Sequence, residues 1–217
     1  MLYEQELSYV FIFPVRKQIG KLTAYGWGLN IDRRFAGLFS ARGIVAKLYE
    51  LQKQECECIQ IHIHHLLKAN IRELIKITDL FDCSMKFYLH DYYSVCKQGN
   101  LLLNGERFCK AQNGLCSKKE CRYCDETYVT QNLAFFKHNR HRLEFIAPSE
   151  SVKRQWASLS GAPLDKIRVV LHQTLKGEYK ENKEDTDTEI RIAFPGTQTA
   201  NKGWNEWKTI VARTDNP

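Results

Sequence analysis

Between Cys58 and Leu89 the spacing of apolar residues changes period twice, and that change restricts the chain to a small set of folds. Ile59, Ile61 and Ile63 alternate with Gln60, His62 and His64. That is the period of two a strand imposes, because its successive side chains point to opposite faces. Leu67, Ile71, Leu74 and Ile75 then recur at helical spacing through Asp79, and Phe87 to Leu89 makes a second short strand. A strand, a helix and a strand in that order pair in parallel through a right-handed crossover.

The alternation repeats downstream. Leu133 to Arg142 reads as helix and Leu143 to Ala147 as strand, and Pro148-Ser149-Glu150-Ser151 opens a helix carrying Val152, Trp156 and Leu159. Ser149 or Ser151 supplies its N-cap, and Gly161 with Pro163 ends it. Ile167, Val169 and Leu171 form the next strand. The expected fold is α/β, a Rossmann-like parallel sheet with helices on both faces.

At 217 residues, 43% hydrophobic and 26% charged, the chain can bury a sizeable core. The apolar run Tyr9 to Val15 is broken by Pro14 and led by Glu4 and Glu6, so it reads neither as a signal peptide nor as a membrane span. Residues 1–176 are expected to form the Rossmann-like domain. The charged stretch 177–188 reads as a linker, and 189–217 as the start of a truncated second α/β unit, with a strand over Glu189 to Phe194 and a helix from Trp204 towards Arg213.

Five of eight cysteines, Cys96, Cys109, Cys116, Cys121 and Cys124, fall in one loop insertion. In a reducing cytoplasmic setting they read as thiolates. The Cys121-x-x-Cys124 spacing lets two thiolates reach one tetrahedral zinc, with Cys109 and either Cys96 or Cys116 completing the set. Four thiolates leave no open position, so the zinc would be structural and catalysis would need no cofactor. Free thiols in a loop are the competing reading, and Cys56, Cys58 and Cys83 read as small buried hydrophobes. The net charge of +7 concentrates in Lys97 to Cys124 and again in Lys137 to Arg142. These stretches read as solvated faces or as peripheral contacts with an anionic membrane at its inner face. Aromatic residues among them are too sparse for a nucleic-acid platform.

His90-Asp91-Tyr92-Tyr93 follows a strand, where open α/β sheets hold their ligands. His90 is the leading candidate for chemistry with Asp91 beside it; the plainer alternative is a histidine bonded to a nearby carbonyl. Alternation sends His62 and His64 to the face opposite His65, so the three do not converge on a metal.

Three segments carry a resemblance: Ile61-His62-Ile63-His64-His65-Leu66; Leu89-His90-Asp91-Tyr92-Tyr93 with Cys96 and Asn100-Leu101-Leu102; and Ile146-Ala147-Pro148-Ser149-Glu150. With Gly196 and Asn201-Lys202-Gly203 they make the chain resemble a family-four glycosyltransferase, a retaining enzyme of two Rossmann-like domains facing across a cleft. The resemblance implies transfer of a sugar from a nucleotide-diphosphate sugar to a polysaccharide or lipid-linked acceptor. It implies that His90, with Asp91, faces the donor sugar and diphosphate, and that Lys202, Gly196 and Gly203 lie on the donor diphosphate. His64, His65, Tyr92, Asn100, Ser149 and Glu150 are implied to line the acceptor-side cleft. Two departures accompany it. The donor-side domain is incomplete, without the family's glutamate pair, and where the family's first strand runs into a glycine-rich turn Tyr9 to Val15 leads into Arg16-Lys17-Gln18, with Gly26-Trp27-Gly28 a poor substitute. The alternatives are a zinc-stabilised binding module and an inactive pseudo-enzyme fragment.

Overall fold

A computed structural model of the chain describes residues 8–19, 22–54, 57–109, 120–171, 193–199 and 202–214. The protein is α/β, with a four-stranded parallel sheet flanked by helices, consistent with a Rossmann-like arrangement.

The first sheet is not part of it. Strands β1 (Val10–Ile19), β2 (Leu22–Ile31) and β3 (Arg34–Phe39) form an antiparallel meander. The β2–β3 turn places Asp32 and Arg33 at φ 46° and 68°, the paired positive values that match a two-residue turn to the twist of a hairpin. The run Tyr9 to Val15 is therefore not the first strand of the parallel sheet, and Gly26-Trp27-Gly28 is not a turn but the middle of β2. Trp27 and Leu29 of β2 pack with Ile44 and Leu48 of helix α1 (Ala41–Lys53), and Ser40 caps that helix by accepting the Gly43 N–H at 3.1 Å. Ile77 of helix α2 (Ile71–Thr78) completes this core, and Trp27 Nε1–H donates to Glu73 Oε2 at 2.8 Å.

The parallel sheet runs in chain order: β4 (Gln60–Ile63), β5 (Ser84–Tyr88), β8 (Leu143–Ala147), β9 (Ile167–Val169). Between β5 and β8 lie the small hairpin β6 (Leu102–Leu103) and β7 (Arg107–Phe108) and helix α3 (Glu126–His138). Helix α4 (Glu150–Ser160) joins β8 to β9. Right-handed crossovers between strands that follow one another in order all fall on one side. Accordingly Phe87 and Phe145 meet Phe136 of α3 and Trp156 of α4, at centroid separations of 4.9 Å for Phe87–Phe136 and 4.5 Å for Phe145–Trp156. Leu74 and Ile75 of α2 pack on the same core, and Leu74 also touches the core beneath the meander. Among the described residues, helices on both faces are thus met on one face only. The other face carries Gln60, His62, Ser84, Lys86, Tyr88, Glu144, Ile146 and Arg168, of which Ile146 alone is buried.

The amino edge of this sheet holds the Cys58 and Cys83 thiols 3.4 Å apart. Burial, then the Cys83 hydrogen bond, push the Cys58 thiol up to about 12, which keeps it protonated. Cys56, the linker 177–188 and residues 189–192 of the expected strand lie outside the described residues; 193–195 are not strand. The last helix, α5 (Trp204–Thr214), follows the expected one closely, and its Trp204 and Trp207 pack on Phe194.

Candidate functional site

Parallel register places the carboxyl ends of β4 and β5 side by side, with Ile63 paired to Phe87, so the residues that leave the two strands meet. His64 Nδ1 and His90 Nε2 are 3.0 Å apart, a distance that fixes one ring against the other. His65 Nδ1 accepts the Leu67 N–H at 2.7 Å. Its proton therefore sits on Nε2, which donates to Asp91 Oδ2 at 2.7 Å. Asp91 Oδ1 accepts the Tyr93 N–H at 2.8 Å. Burial alone would raise the Asp91 carboxyl, but the His65 hydrogen bond and the Tyr93 amide outweigh it and the net shift is downward. Asp91 is thus an ionised, doubly engaged carboxylate that positions its neighbours.

Behind this pair the rings form a column. Tyr88 and His64 stack at 4.5 Å between centroids and 6° between planes, His64 and His90 at 5.3 Å and 10°, and His62 and Tyr88 at 5.7 Å and 18°. His62 Nδ1 meets Tyr88 Oη at 2.9 Å. Burial, then Lys86, lower the His62 value; burial, then His90 and His62, lower that of His64. Neutral imidazoles therefore prevail near neutral pH, and a neutral ring both donates and accepts.

The loop after Asp91 is tied from several sides. Tyr128 Oη–H of α3 donates to the Tyr93 carbonyl at 2.7 Å, and Trp156 Nε1–H of α4 donates to the buried Ser94 hydroxyl at 2.9 Å. The Tyr92 N–H bonds the Gly99 carbonyl at 2.9 Å. Gly99 sits at φ +81° beneath the Tyr93 ring, where a Cβ would come within 2.6 Å, so only glycine closes this turn. Tyr92 is half-buried there, and burial raises its phenol.

The remaining expected residues divide. Asn100 is exposed and gives its N–H to Gln98 Oε1 at 2.8 Å. Ser149 is the N-cap of α4, its Oγ accepting the Val152 N–H at 3.3 Å, and Glu150 opens that helix at the exit of β8. In the segment around α5, Gly196 gives its N–H to the Phe194 carbonyl at 3.1 Å, exposed Lys202 gives its N–H to the Thr199 carbonyl at 3.0 Å, and the Gly203 carbonyl accepts the Trp207 N–H at 2.9 Å. His62 and Tyr88 were absent from the expected site. Their signal is in the sequence, because His62 and His64 on one strand and Tyr88 and His90 on the next have the same two-residue spacing.

Cys96, Cys109, Cys121 and Cys124 line one small cavity of about 20 Å³, together with Val95, Leu101 and Val129. Backbone bonds place them: Cys96 N–H to the Tyr92 carbonyl, Cys109 N–H to the Leu101 carbonyl and Cys124 N–H to the Cys121 carbonyl. Cys109 and Cys121 are buried. Among the described residues no three His, Cys, Asp or Glu side chains stand in an arrangement that holds a metal ion, and Cys116 lies outside those residues. No described helix is long and apolar enough to cross a membrane.

No protein-family model matches the chain, and neither a curated protein nor a solved structure matches it.

Proposed function

We propose that the strand-end group of His64, His65, His90 and Asp91 serves sugar transfer, as in the retaining two-domain glycosyltransferases the sequence resembles. The supporting observation is that these four side chains gather at the carboxyl ends of two adjacent parallel strands, where α/β sheets hold ligands. In this reading the donor is a nucleotide-diphosphate sugar and the acceptor a polysaccharide or lipid-linked sugar. Negative charge builds on the leaving diphosphate as the glycosidic bond to it breaks. A hydrogen-bond donor held toward that charge, at no cost of reorganisation, lowers the barrier. His64 holds the His90 ring for that role, and the His65–Asp91 pair holds the turn that carries it. Lys202, Gly196 and Gly203 stay with the donor diphosphate, and Tyr92, Asn100, Ser149 and Glu150 with the acceptor side.

Release of nucleoside diphosphate, followed over a panel of nucleotide sugars with and without oligosaccharide and lipid-linked acceptors, tests the reading. His90→Ala is expected to slow release on the order of 100-fold. Unchanged release in that variant, or no release from any donor, removes the assignment.

A second reading, a zinc-stabilised module, is supported by a separate observation, the four cysteines around one cavity. Closing those thiolates on zinc would tie the β6–β7 hairpin to the start of α3, and it is compatible with either function. Elemental analysis of the purified chain is then expected to give one zinc per chain, lost in Cys121→Ser. Four accessible thiols and no metal would discard it.

A further inference from the structure

The Cys58 and Cys83 thiols touch at 3.4 Å without being bonded, and they belong neither to the strand-end histidine group nor to the cysteine-lined cavity. A disulfide holds its sulfurs at about 2.05 Å, so this pair has about 1.4 Å left to close. The backbone permits it. Cys58 precedes β4, which begins at Gln60, and Cys83 immediately precedes β5, which begins at Ser84. The first pair of the ladder is Gln60 with Ser84, so the sulfurs can approach with no change of strand register. Both side chains are half-buried, within reach of a small oxidant.

We propose that Cys58 and Cys83 form a redox site, a dithiol that a small disulfide of the glutathione class converts reversibly to a disulfide joining the starts of β4 and β5. This site is independent of the sugar-transfer reading. The Cys83 thiolate attacks one sulfur of glutathione disulfide, whose S–S bond breaks and releases one glutathione thiolate. Cys58 then gives up its proton and attacks the Cys83 sulfur of the mixed disulfide, expelling the second glutathione. Two protein thiols are oxidised and one glutathione disulfide is reduced to two thiols, which take up the two protons. Cys58 suits the second step. Burial, then its hydrogen bond with Cys83 and the charge there, hold it protonated at first. The mixed disulfide removes the two Cys83 effects, and the Arg142 charge, which favours the thiolate, remains.

Glutathione disulfide added to the folded full chain, followed by alkylation of the remaining thiols and tryptic mass mapping, tests the proposal. Trypsin leaves Cys58 in peptide 54–68, together with Cys56, and Cys83 in peptide 77–86. The expected product is these two peptides joined, retained in Cys56→Ser, lost in Cys58→Ser and reversed by dithiothreitol. The bridge would enclose β4 and α2, and closing such a loop restricts the unfolded chain. Oxidised chain is therefore expected to unfold at higher urea than reduced chain. Cys83→Ser, which keeps every cysteine from Cys96 to Cys124, is expected to lose that shift. Joined peptides that are absent, that form only once urea is present, or that persist in Cys58→Ser overturn the proposal. So does an oxidised chain that unfolds at lower urea, or an undiminished shift in Cys83→Ser.

Discussion

Trp156→Ala is expected to lower the stability of the chain by about 3–5 kcal/mol, the cost of emptying a large aromatic site in a closed core. Trp156 is fully buried at the centre of the helix-covered face of the parallel sheet, between Phe136 at 5.6 Å and Phe145 at 4.5 Å. Neither ring is free to fill the space, since Phe136 is also held against Phe87 and Phe135. A second loss accompanies the cavity. Trp156 Nε1–H is the donor to Ser94 Oγ, and Ser94 is buried, so its hydroxyl would lose a partner away from water. Trp156→Phe separates the two effects, keeping most of the volume and losing the hydrogen bond, with an expected cost of about 1–2 kcal/mol. Urea unfolding followed by far-ultraviolet circular dichroism reads both. A loss below about 1 kcal/mol in the alanine variant would mean that the core does not close around this ring. Ser94 stands four residues after His90, so the phenylalanine variant is also expected to loosen the loop that carries the candidate site.

Local signals made much of this core legible. Ser149 caps α4 and Gly161, at φ +72°, stops it, as their chemistry requires. The alternation of Gln60 to His64 separates His62 and His64 from His65, and the structure uses the two sides differently: one joins the ring column, the other holds Asp91. The contact between His64 and His90 was not legible, because it depends on which residues of β4 and β5 stand side by side, a property of strand pairing that no single segment carries. The meander was hidden for a different reason. Its outer face carries Phe11, Phe13, Phe35 and Leu38 in place of polar residues, so the period of two that announces a half-exposed strand is missing. Gly26 and Gly28, a poor substitute for a glycine-rich turn, are each small because something crosses above: the Phe39 carbonyl at 2.8 Å from a Cβ on Gly26, and the Phe13 ring over Gly28. The zinc expectation rested on spacing alone; spacing brought four cysteines to one cavity without stating how their sulfurs are directed.

Arg142→Met is expected to cost about 3 kcal/mol, although the substitution keeps an unbranched apolar stem of similar reach. The Arg142 side chain is 10% exposed, and its guanidinium ties together three ends of structure at the amino edge of the sheet. It donates to the Phe81 carbonyl, to the Thr78 carbonyl at 3.1 Å and to Asn139 Oδ1 at 2.8 Å. Asn139 is itself fully buried at the end of α3, its amide spent on the Phe135 carbonyl at 3.0 Å. Without the guanidinium, that oxygen and the Phe81 carbonyl lose their donor in a site where water does not readily replace it. The ion pair with half-exposed Asp79 adds little, because His138 also bonds that carboxylate and solvent screens it. Arg142→Lys is expected to fall between the two, since an ammonium lacks the planar fork that reaches three acceptors at once. The Arg142 carbonyl also accepts the Met85 N–H at 2.8 Å, which sets the start of β5 against β8. His90 leaves the opposite end of β5, so the methionine variant is expected to unfold at lower urea while any His90-dependent activity of the folded fraction is retained. Loss of that activity at full stability would instead mean that the two edges of the sheet are coupled, and that the amino edge does more than hold the strands in register.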